Sequence, residues 1–280
     1  MWDLEIGDGT LWEHMGSTEF PARLADALDA LRRGRSRSRW GGVHGLERCG
    51  NFETLVLAGG SVPDAPLRLS SEVTQLTLPD DRLGAALGVR QVLRRLLGPS
   101  SEPCVVDMGQ SAIKAAGSGG TGCWERDCDV LPVRRPGVPD QDMQGRRWDP
   151  RDQRRGLIEF LGDCLGHALA KAPRVEPLVI ALPCEVPTEA GGRLGESSYL
   201  GMPADPHWVT ELVDAVSPQL DRAGCRSVWI LNDAELAAFA AHTLDPTGHT
   251  LVVTLGFAIG GAVLEPLEES LWIGGFHGWG

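Results

Sequence analysis

The chain has 280 residues, of which 42% are hydrophobic and 23% charged, and its formal net charge is −12. Such a composition is ordinary for a globular protein of one large domain or two lobes, and the acidic charge argues against a general nucleic-acid binder, which needs a basic surface. No apolar run reaches the ~20 residues that span a bilayer, and Met1–Gly16 lacks the apolar core of a signal peptide. We therefore expect a cytoplasmic protein with neither a nucleic-acid nor a membrane partner.

Hydrophobic periodicity and turn residues divide the chain into helices and strands. In chain order, the pattern predicts a helix over Phe20–Arg32, strands over Thr54–Gly60 and Val73–Leu78, a helix over Leu83–Leu97, a strand over Cys104–Val106, a flexible turn at Gly117–Gly122, an exposed excursion over Pro132–Asp152, a helix over Arg155–Ala170, a strand over Leu178–Pro183, a helix over His207–Leu220, a strand over Ser227–Leu231, a helix over Ala234–Thr243, and strands over Thr250–Leu255 and Ala262–Leu264. The alternation of strands and helices predicts an α/β protein with largely parallel sheets.

The cysteines favour a reducing environment. Their number is seven, and their spacing is irregular. Cys104, Cys164 and Cys184 stand in apolar runs, so we expect them to be core thiols. Cys123 and Cys128 lack a second pair at the spacing of a zinc site.

The segment after the strand at Cys104 carries the first candidate site. Asp107, Gly109, Ser111 and Lys114 form the pattern Asp-x-Gly-x-Ser-x-x-Lys. A strand that ends in an acid and a glycine can bring backbone N–H groups and a hydroxyl against a phosphate, and the acid can hold Mg²⁺. The alternative interpretation is a plain β-hairpin with Gly109 in its turn.

Three further strand ends carry residues of the same kind. They are Asn232-Asp233, the segment Gly256–Gly261 and the pair Gly59-Gly60. In open α/β sheets, ligands bind beyond the carboxyl ends of the strands, where glycine-rich turns can cradle phosphates and a carboxylate can accept a proton. The alternatives are a helix N-cap for Asn232-Asp233 and tight turns for the glycines.

Together these segments resemble the ROK family of bacterial sugar kinases and sugar-responsive repressors, within the superfamily of actin-like ATPases. Asp107–Lys114 resembles its first phosphate motif and Ile230–Ala234 the segment of its catalytic base. Leu255–Gly261 is similar to its second phosphate loop, and Leu57–Gly60 to its adenosine turn. The resemblance implies a two-lobed actin-like ATPase fold of the ribonuclease H-like type.

The order of the motifs is rotated relative to that family. In ROK proteins the Asp-Gly motif opens the chain, and the Gly-Gly turn with its following helix closes it. Here the Gly-Gly turn and the helix Leu83–Leu97 precede Asp107, as in a circular permutant whose old ends join at Gly98–Pro103. The larger lobe would combine residues 1–82 with 246–280, and the smaller lobe would span 83–245.

The resemblance also implies an activity and a set of site residues. The activity is ATP-dependent phosphorylation of a hydroxyl on a sugar or sugar-like molecule, such as an amino sugar or a cyclitol, with Asp233 as general base. The implied acceptor contacts are Asn232, Asp233, Glu196, Ser198 and His277. Asp107 would hold Mg²⁺, and the implied ATP contacts are Asp107, Gly109, Gln110, Ser111, Lys114, Gly256, Phe257, Gly260, Gly59 and Gly60. Many relatives are dimers, so a homodimer is one expected assembly.

The chain departs from the family pattern in three places. The family's Gly-Glu-x-Gly-His sugar motif has no intact counterpart, Thr10 replaces a cysteine of the family's zinc cluster, and Phe257-Ala258 stand where the second phosphate loop has Thr-Gly. Two other functions stay open: a non-catalytic sugar-binding sensor, and an ATPase that acts on a protein partner. ADP release that depends on both a sugar and Asp233 would favour the kinase over both.

Overall fold

The chain divides into two units, each with its own sheet. The computed structural model describes residues 5–6, 9–10, 17–33, 52–70, 72–79, 83–109, 111–134, 140–169, 176–184, 186, 197, 199–200, 207–256, 259–264 and 277–279. The first unit comprises Met1–Asp80 and Ala237–Ile273, and the second comprises Asp81–Leu236 and Gly274–Gly280. The predicted lobes have their boundaries at 82/83 and 245/246 and assign the chain's last residues to the first lobe. The second unit contains more residues than the first, the reverse of the predicted order of size.

The described residues form a mixed α/β protein, which confirms the predicted α/β class. Both large sheets are mixed, whereas largely parallel sheets were predicted. The helices are α1 (Phe20–Arg32), α2 (Gly84–Leu97), α3 (Pro150–Leu169), α4 (His207–Arg222) and α5 (Asp233–Ala241), and the strands are β1 (Glu5–Ile6), β2 (Gly9–Thr10), β3 (Thr54–Ala58), β4 (Thr74–Thr77), β5 (Cys104–Met108), β6 (Ala112–Gly117), β7 (Gly120–Glu125), β8 (Leu178–Leu182), β9 (Val228–Asn232), β10 (Thr250–Leu255), β11 (Ile259–Leu264) and β12 (His277–Trp279). Within these ranges no helix is long and apolar enough to cross a lipid bilayer.

The second unit is built on a six-stranded sheet. Its strand order is β12-β9-β8-β5-β6-β7. Strands β5, β8 and β9 run parallel, whereas β6 and β7 continue from β5 as an antiparallel meander and β12 pairs antiparallel with β9. Every residue of β8 is buried, as expected for a central strand whose two faces are both covered.

The first unit is built on a four-stranded sheet. Its strand order is β11-β10-β3-β4. Strands β10, β3 and β4 run parallel, and β11 forms an antiparallel hairpin with β10. All five residues of β3 are buried, so β3 is the apolar centre of this sheet.

The two sheets share one pattern of neighbours. In each sheet, two parallel strands lie next to the first strand of a hairpin, on the side away from its second strand. The order is β6-β5-β8-β9 in one unit and β11-β10-β3-β4 in the other. Along the chain the hairpin β5–β6 precedes its parallel partners, whereas the hairpin β10–β11 follows them. These four strands therefore have the same spatial order in both sheets, but the chain begins at a different strand in each.

Helix α3 supplies one side of the core of the second unit. Its buried residues Leu157, Leu161 and Leu165 recur every four positions, which places them on one face of the helix. They join Leu212 and Val216 of α4 and the apolar side chains of the sheet in one cluster. Apolar spacing thus predicted both helices, although α3 begins at Pro150 and not at Arg155, and α4 ends at Arg222 and not at Leu220.

Helix α1 performs the same task in the first unit, and its bounds match the prediction. Pro21 lies in the first turn, where its missing N–H costs no hydrogen bond. Leu24 and Leu28 pack with Phe52 and the buried residues of β3 and β10. The buried carboxylate of Asp29 accepts a hydrogen bond of 2.8 Å from the N–H of Ser70, which ties the helix to the loop after β3.

The prediction of a flexible turn at Gly117–Gly122 is wrong in extent. Strands β6 and β7 occupy most of this segment and pair as a tight hairpin, with Gly117 opposite Gly120. A Cβ atom on Gly117 would lie 3.1 Å from the sulfur of Cys104. This glycine therefore permits close packing of β6 against β5, which is a different reason for glycine than flexibility.

The prediction of an exposed excursion over Pro132–Asp152 is wrong at its centre. Most side chains from 143 to 147 are exposed, but Asp142 is fully buried. Its carboxylate accepts hydrogen bonds from the Arg146 N–H at 2.8 Å, the Arg146 Nε–H at 2.6 Å and the Trp148 Nε1–H at 2.9 Å. Burial alone would raise the pKa of Asp142, but the hydrogen bonds from Trp148 and Arg146 outweigh it and lower the pKa to about 2. The segment folds around this carboxylate.

Candidate functional site

The carboxyl edge of the six-stranded sheet brings together the residues that the sequence predicts for chemistry. Asp107 at the end of β5 is level with Ala181 of β8, and Leu182 of β8 is level with Asn232 of β9. Asp233 follows directly on Asn232. Neighbouring strands lie about 4.8 Å apart, so β5 and β9 are roughly 10 Å apart. Both predicted acids therefore lie at one edge of the sheet, separated by β8.

Asp233 is the first residue of helix α5, and its side chain is half-buried. Its Oδ1 accepts a hydrogen bond of 2.8 Å from the N–H of Ala234. Burial, reinforced by the negative charge of Asp107, raises the pKa of Asp233 to about 7. The carboxyl group therefore exchanges its proton near neutral pH, as a general base must.

Asn232 and Glu235 form a capping box at the start of α5. The Oδ1 of Asn232 accepts a hydrogen bond of 2.7 Å from the N–H of Ala234, and the Oε2 of Glu235 accepts one of 2.9 Å from the N–H of Asn232. This is the reciprocal pattern that satisfies the free donors of a helix start. The N-cap interpretation of Asn232 is confirmed, and the acceptor contact that the resemblance implies for Asn232 stays a prediction.

Further contacts leave Asn232 little freedom and place a third acid nearby. The Nδ2 of Asn232 donates a hydrogen bond of 2.7 Å to the carbonyl of Cys184, just beyond β8. Burial raises the pKa of Glu235 to about 7, and the charge of Asp233 adds to this effect. Glu235 was not among the predicted site residues, although its Asn-x-x-Glu spacing from Asn232 is the signature of a capping box.

Asp107 and Lys114 are cross-strand neighbours in the β5–β6 hairpin. They stand opposite each other in the antiparallel register, and both are half-buried. Residues opposite in such a pair lie on the same face of the sheet. Burial raises the pKa of Asp107 despite the opposing effect of the positive charge on Lys114. The hairpin alternative is therefore confirmed. The phosphate and Mg²⁺ contacts that the resemblance implies for Asp107 and Lys114 stay predictions.

The hairpin turn is short and tight. Gly109 is half-buried, and Ser111 is exposed. A Cβ atom on Gly109 would lie 3.0 Å from the carbonyl oxygen of Ala112, which is closer than a side chain tolerates without movement. The hydroxyl of Tyr199 donates a hydrogen bond of 2.7 Å to the carbonyl of Gly109. The sequence analysis missed this contact, because it joins residues 90 positions apart.

The glycines of the first unit that are predicted to contact the nucleotide differ in the space around them. Gly59 has a φ of 104°, and a Cβ atom there would collide with the carbonyl of Leu255 at the end of β10. Packing therefore requires a glycine at position 59, which is what the tight-turn interpretation predicts. A Cβ atom on Gly60 or Gly256 would meet nothing within 4 Å, so these two positions are open to an approaching ligand. Gly260 is half-buried in β11, opposite Thr254.

Several predicted site residues lie outside this description. Gln110, Glu196, Ser198 and Phe257 are not among the described residues. The backbone of His277 is placed by strand β12, where it pairs with Ile230, two positions before Asn232. The predicted acceptor and nucleotide contacts of these side chains stay predictions.

The acids at the sheet edge have the donor chemistry that Mg²⁺ prefers. Among the described residues, no three or more His, Cys, Asp and Glu side chains group in a way that could hold a metal ion. Mg²⁺ does not need such a cage, because it keeps several waters and binds through one or two carboxylates. Asp107 and Asp233 offer carboxylate oxygens at one edge, and the charge of Asp107 acts unfavourably on Asp233. A cation there would relieve this repulsion, so the residues fit the predicted ion.

Comparison with known proteins assigns no family. No protein-family model matches the chain, and a search of curated proteins finds no match. An interpretation of function therefore depends on the residues and geometry given above.

The two glycines after β3 should respond differently to substitution. Gly59→Ala is expected to lower the free energy of unfolding by about 2 kcal/mol or more, because a left-handed backbone costs ~1–2 kcal/mol and the clash with Leu255 adds to it. Gly60→Ala should change it by less than about 1 kcal/mol, since its Cβ meets open space. Urea unfolding of the two variants and the wild type measures both values. Equal losses would contradict the packing role of Gly59.

The raised pKa of Asp233 should appear as a pH-dependent stability difference. Between about pH 4 and 7 the folded carboxyl keeps a proton that the unfolded chain has lost, so stability falls as pH rises through this range. Asp233→Asn removes this dependence and keeps a hydrogen-bond acceptor for Ala234. The variant should gain on the order of 1–2 kcal/mol over the wild type between pH 5 and pH 8, allowing for solvent screening. Urea unfolding at both pH values tests this, and a constant difference would contradict the raised pKa.

Proposed function

We propose that the protein is an ATP-dependent kinase that phosphorylates a hydroxyl of a sugar or a sugar-like small molecule, such as an amino sugar or a cyclitol. The observation that carries this proposal is the position of Asp233. It lies at a strand–helix junction, with a pKa of about 7, at the same sheet edge as Asp107 and the Gly109 turn. A proton acceptor at the same sheet edge as an acid and a glycine turn fits phosphoryl transfer to a hydroxyl, which uses a base, a metal ion and phosphate contacts.

The shared pattern of the two sheets supports the finer fold proposal. We assign the chain to the two-lobed actin-like ATPase fold, with a ribonuclease H-like sheet in each unit and a circularly permuted order. In both units a hairpin is followed on one side by two parallel strands, and these four strands differ between the units in their starting point along the chain. This is the pattern expected if one repeated unit had been cut open and rejoined.

The proposed reaction gives Asp233 one task. The acceptor hydroxyl oxygen forms a bond to the γ-phosphorus of ATP while the bond from that phosphorus to the β–γ bridging oxygen breaks. The hydroxyl proton passes to the carboxylate of Asp233, and the products are a phosphate monoester and ADP. The capping box fixes the start of α5, so it also fixes the direction of Asp233. Such positioning is a main source of catalysis in phosphoryl transfer.

The proposed phosphate contacts lie on the β5–β6 hairpin. Ser111 offers a hydroxyl that is exposed, and Lys114 offers a positive charge. Asp107 would hold Mg²⁺, which when bound offsets the negative charge of the transferring phosphoryl group. In the first unit, Gly60 and Gly256 are the proposed nucleotide contacts, because their Cα atoms face open space.

The proposed setting is the cytoplasm. No disulfide bond joins the six cysteines among the described residues, and three of them, Cys104, Cys164 and Cys184, are buried as predicted. Reduced thiols are usual in that compartment. ATP and Mg²⁺ are available there as well.

The kinase proposal is tested by ADP release from Mg-ATP in the presence of hexoses, amino sugars and cyclitols. We expect turnover with one acceptor class and a loss of about 10²–10⁴-fold in Asp233→Asn, the usual contribution of a general base. Because the base must be unprotonated, the rate should rise with pH and level off above about pH 7. Glu235→Gln is the matched control, since glutamine also completes a capping box and so keeps the helix start.

Each contrary result points to a different function. Binding of a sugar by calorimetry without any ADP release would overturn the kinase and leave the sugar sensor. ADP release without a small acceptor would favour an ATPase that acts on a protein partner. If Glu235→Gln and Asp233→Asn lower the rate of ADP release equally, Asp233 is not the only base in the reaction.

A further inference from the structure

Tyr199 is the only tyrosine in the chain, and it is almost completely buried. Its side chain is 1% exposed, and its hydroxyl donates a hydrogen bond of 2.7 Å to the carbonyl of Gly109. Burial raises the pKa of Tyr199 to about 12, so the hydroxyl keeps its proton and acts as a donor at ordinary pH. A buried aromatic ring thus ends in a hydrogen bond to the turn of the β5–β6 hairpin.

Arg126 lies against the ring of Tyr199 and is itself 6% exposed. Its guanidinium carbon is 3.7 Å from the ring centroid, within the range of a cation–π contact. Its Nε and Nη2 groups donate hydrogen bonds to the carbonyls of Leu131 and Pro132. These bonds fix the orientation of the guanidinium group, which packs against the ring of Tyr199.

Arg126 also contacts the same hairpin turn through its backbone. Its N–H donates a hydrogen bond of 2.8 Å to the carbonyl of Ser111. The carbonyls of Gly109 and Ser111 are therefore both held from the side of Arg126 and Tyr199. In a planar trans peptide the N–H points away from the carbonyl. Holding the carbonyl of Ser111 therefore also fixes the direction of the N–H of Ala112, and Gly109 and Ser111 are both held at the end of the hairpin.

We propose that Tyr199 and Arg126 are positioning residues that hold Gly109 and Ser111, at the end of the β5–β6 hairpin, in the positions that bind the phosphates of a nucleoside di- or triphosphate. The inference rests on the proposed function, because that function supplies the nucleotide. It adds two residues that carry no chemistry of their own. Their effect reaches the phosphate through the backbone of the turn.

The test removes one hydroxyl. Tyr199→Phe keeps the ring and its stacking on Arg126 but deletes the hydrogen bond to Gly109, together with the interaction of the hydroxyl with the Arg126 guanidinium group. We expect its affinity for Mg-ADP, measured by calorimetry, to fall about 3- to 10-fold, the effect of one neutral hydrogen bond. The KM for the acceptor should stay within about twofold, because the acceptor does not contact this turn. Amide hydrogen exchange in peptides that cover residues 109–113 should become faster.

Ser101→Ala is the matched control. The hydroxyl of Ser101 also donates to a backbone carbonyl, that of Glu176 at 3.0 Å, but it precedes β5 at the opposite end of the strand. This variant should leave Mg-ADP affinity and exchange at 109–113 within about twofold of the wild type. Arg126→Lys keeps the charge but loses the planar stack and the forked donors, so it should behave like Tyr199→Phe.

The outcomes separate this inference from the proposed function. If the wild type binds Mg-ADP and Tyr199→Phe binds it equally well, the positioning role is overturned and the kinase proposal stands. If the wild type does not bind Mg-ADP, the proposed function fails and the inference fails with it. Equal loss in Ser101→Ala and Tyr199→Phe would reduce the effect to general destabilisation and would also overturn the inference.

Discussion

The junction between strand β9 and helix α5 is the constraint on which the rest of the site depends. Asn232 ends the strand and caps the helix, and Glu235 closes the reciprocal hydrogen bond. Asp233 is therefore placed by the secondary structure itself. A helix N-terminus stabilises a carboxylate by ~0.3–1 kcal/mol, whereas a shift of one pKa unit requires about 1.4 kcal/mol. The helix dipole can thus offset less than one unit, and burial with the charge of Asp107 decides the pKa of Asp233.

The same geometry explains why capping and catalysis are not competing interpretations of this segment. Capping consumes the side-chain oxygen of Asn232 and one oxygen of Glu235. The carboxylate of Asp233 takes no part in the reciprocal bonds between Asn232 and Glu235, and its Oδ1 accepts a hydrogen bond from the N–H of Ala234. A sequence pattern that is explained fully by a helix start can therefore still carry a base, because the base is the residue next to the cap.

Local sequence patterns predicted most helices and strands. The features that they did not predict depend on contacts between residues that are distant in sequence or that meet only after folding. The bounds of α1 follow from its apolar spacing and its proline, which act within the helix itself. Strands β6 and β7 were not predicted, and Gly117–Gly122 was predicted as a turn, because glycine and alanine give no alternating pattern. The pairing of β6 with β5 and of β7 with β6 makes them strands. Asp142 was read as exposed because its partners form only once the segment folds. The contact of Tyr199 with Gly109 has no local signal at all.

The acids at the sheet edge are costly to the fold, and this cost bears on the choice between kinase and sensor. A half-buried carboxyl whose pKa is raised destabilises the folded state at neutral pH, because charging it requires desolvation. Asp107, Asp233 and Glu235 all carry such a shift in the same direction. A protein that only binds a sugar needs hydrogen-bond partners, which neutral amides supply without this cost. Clustered acids with raised pKa values are instead typical of sites where a proton or a cation is handled. A kinase handles both, since its base takes a proton and its nucleotide arrives with Mg²⁺.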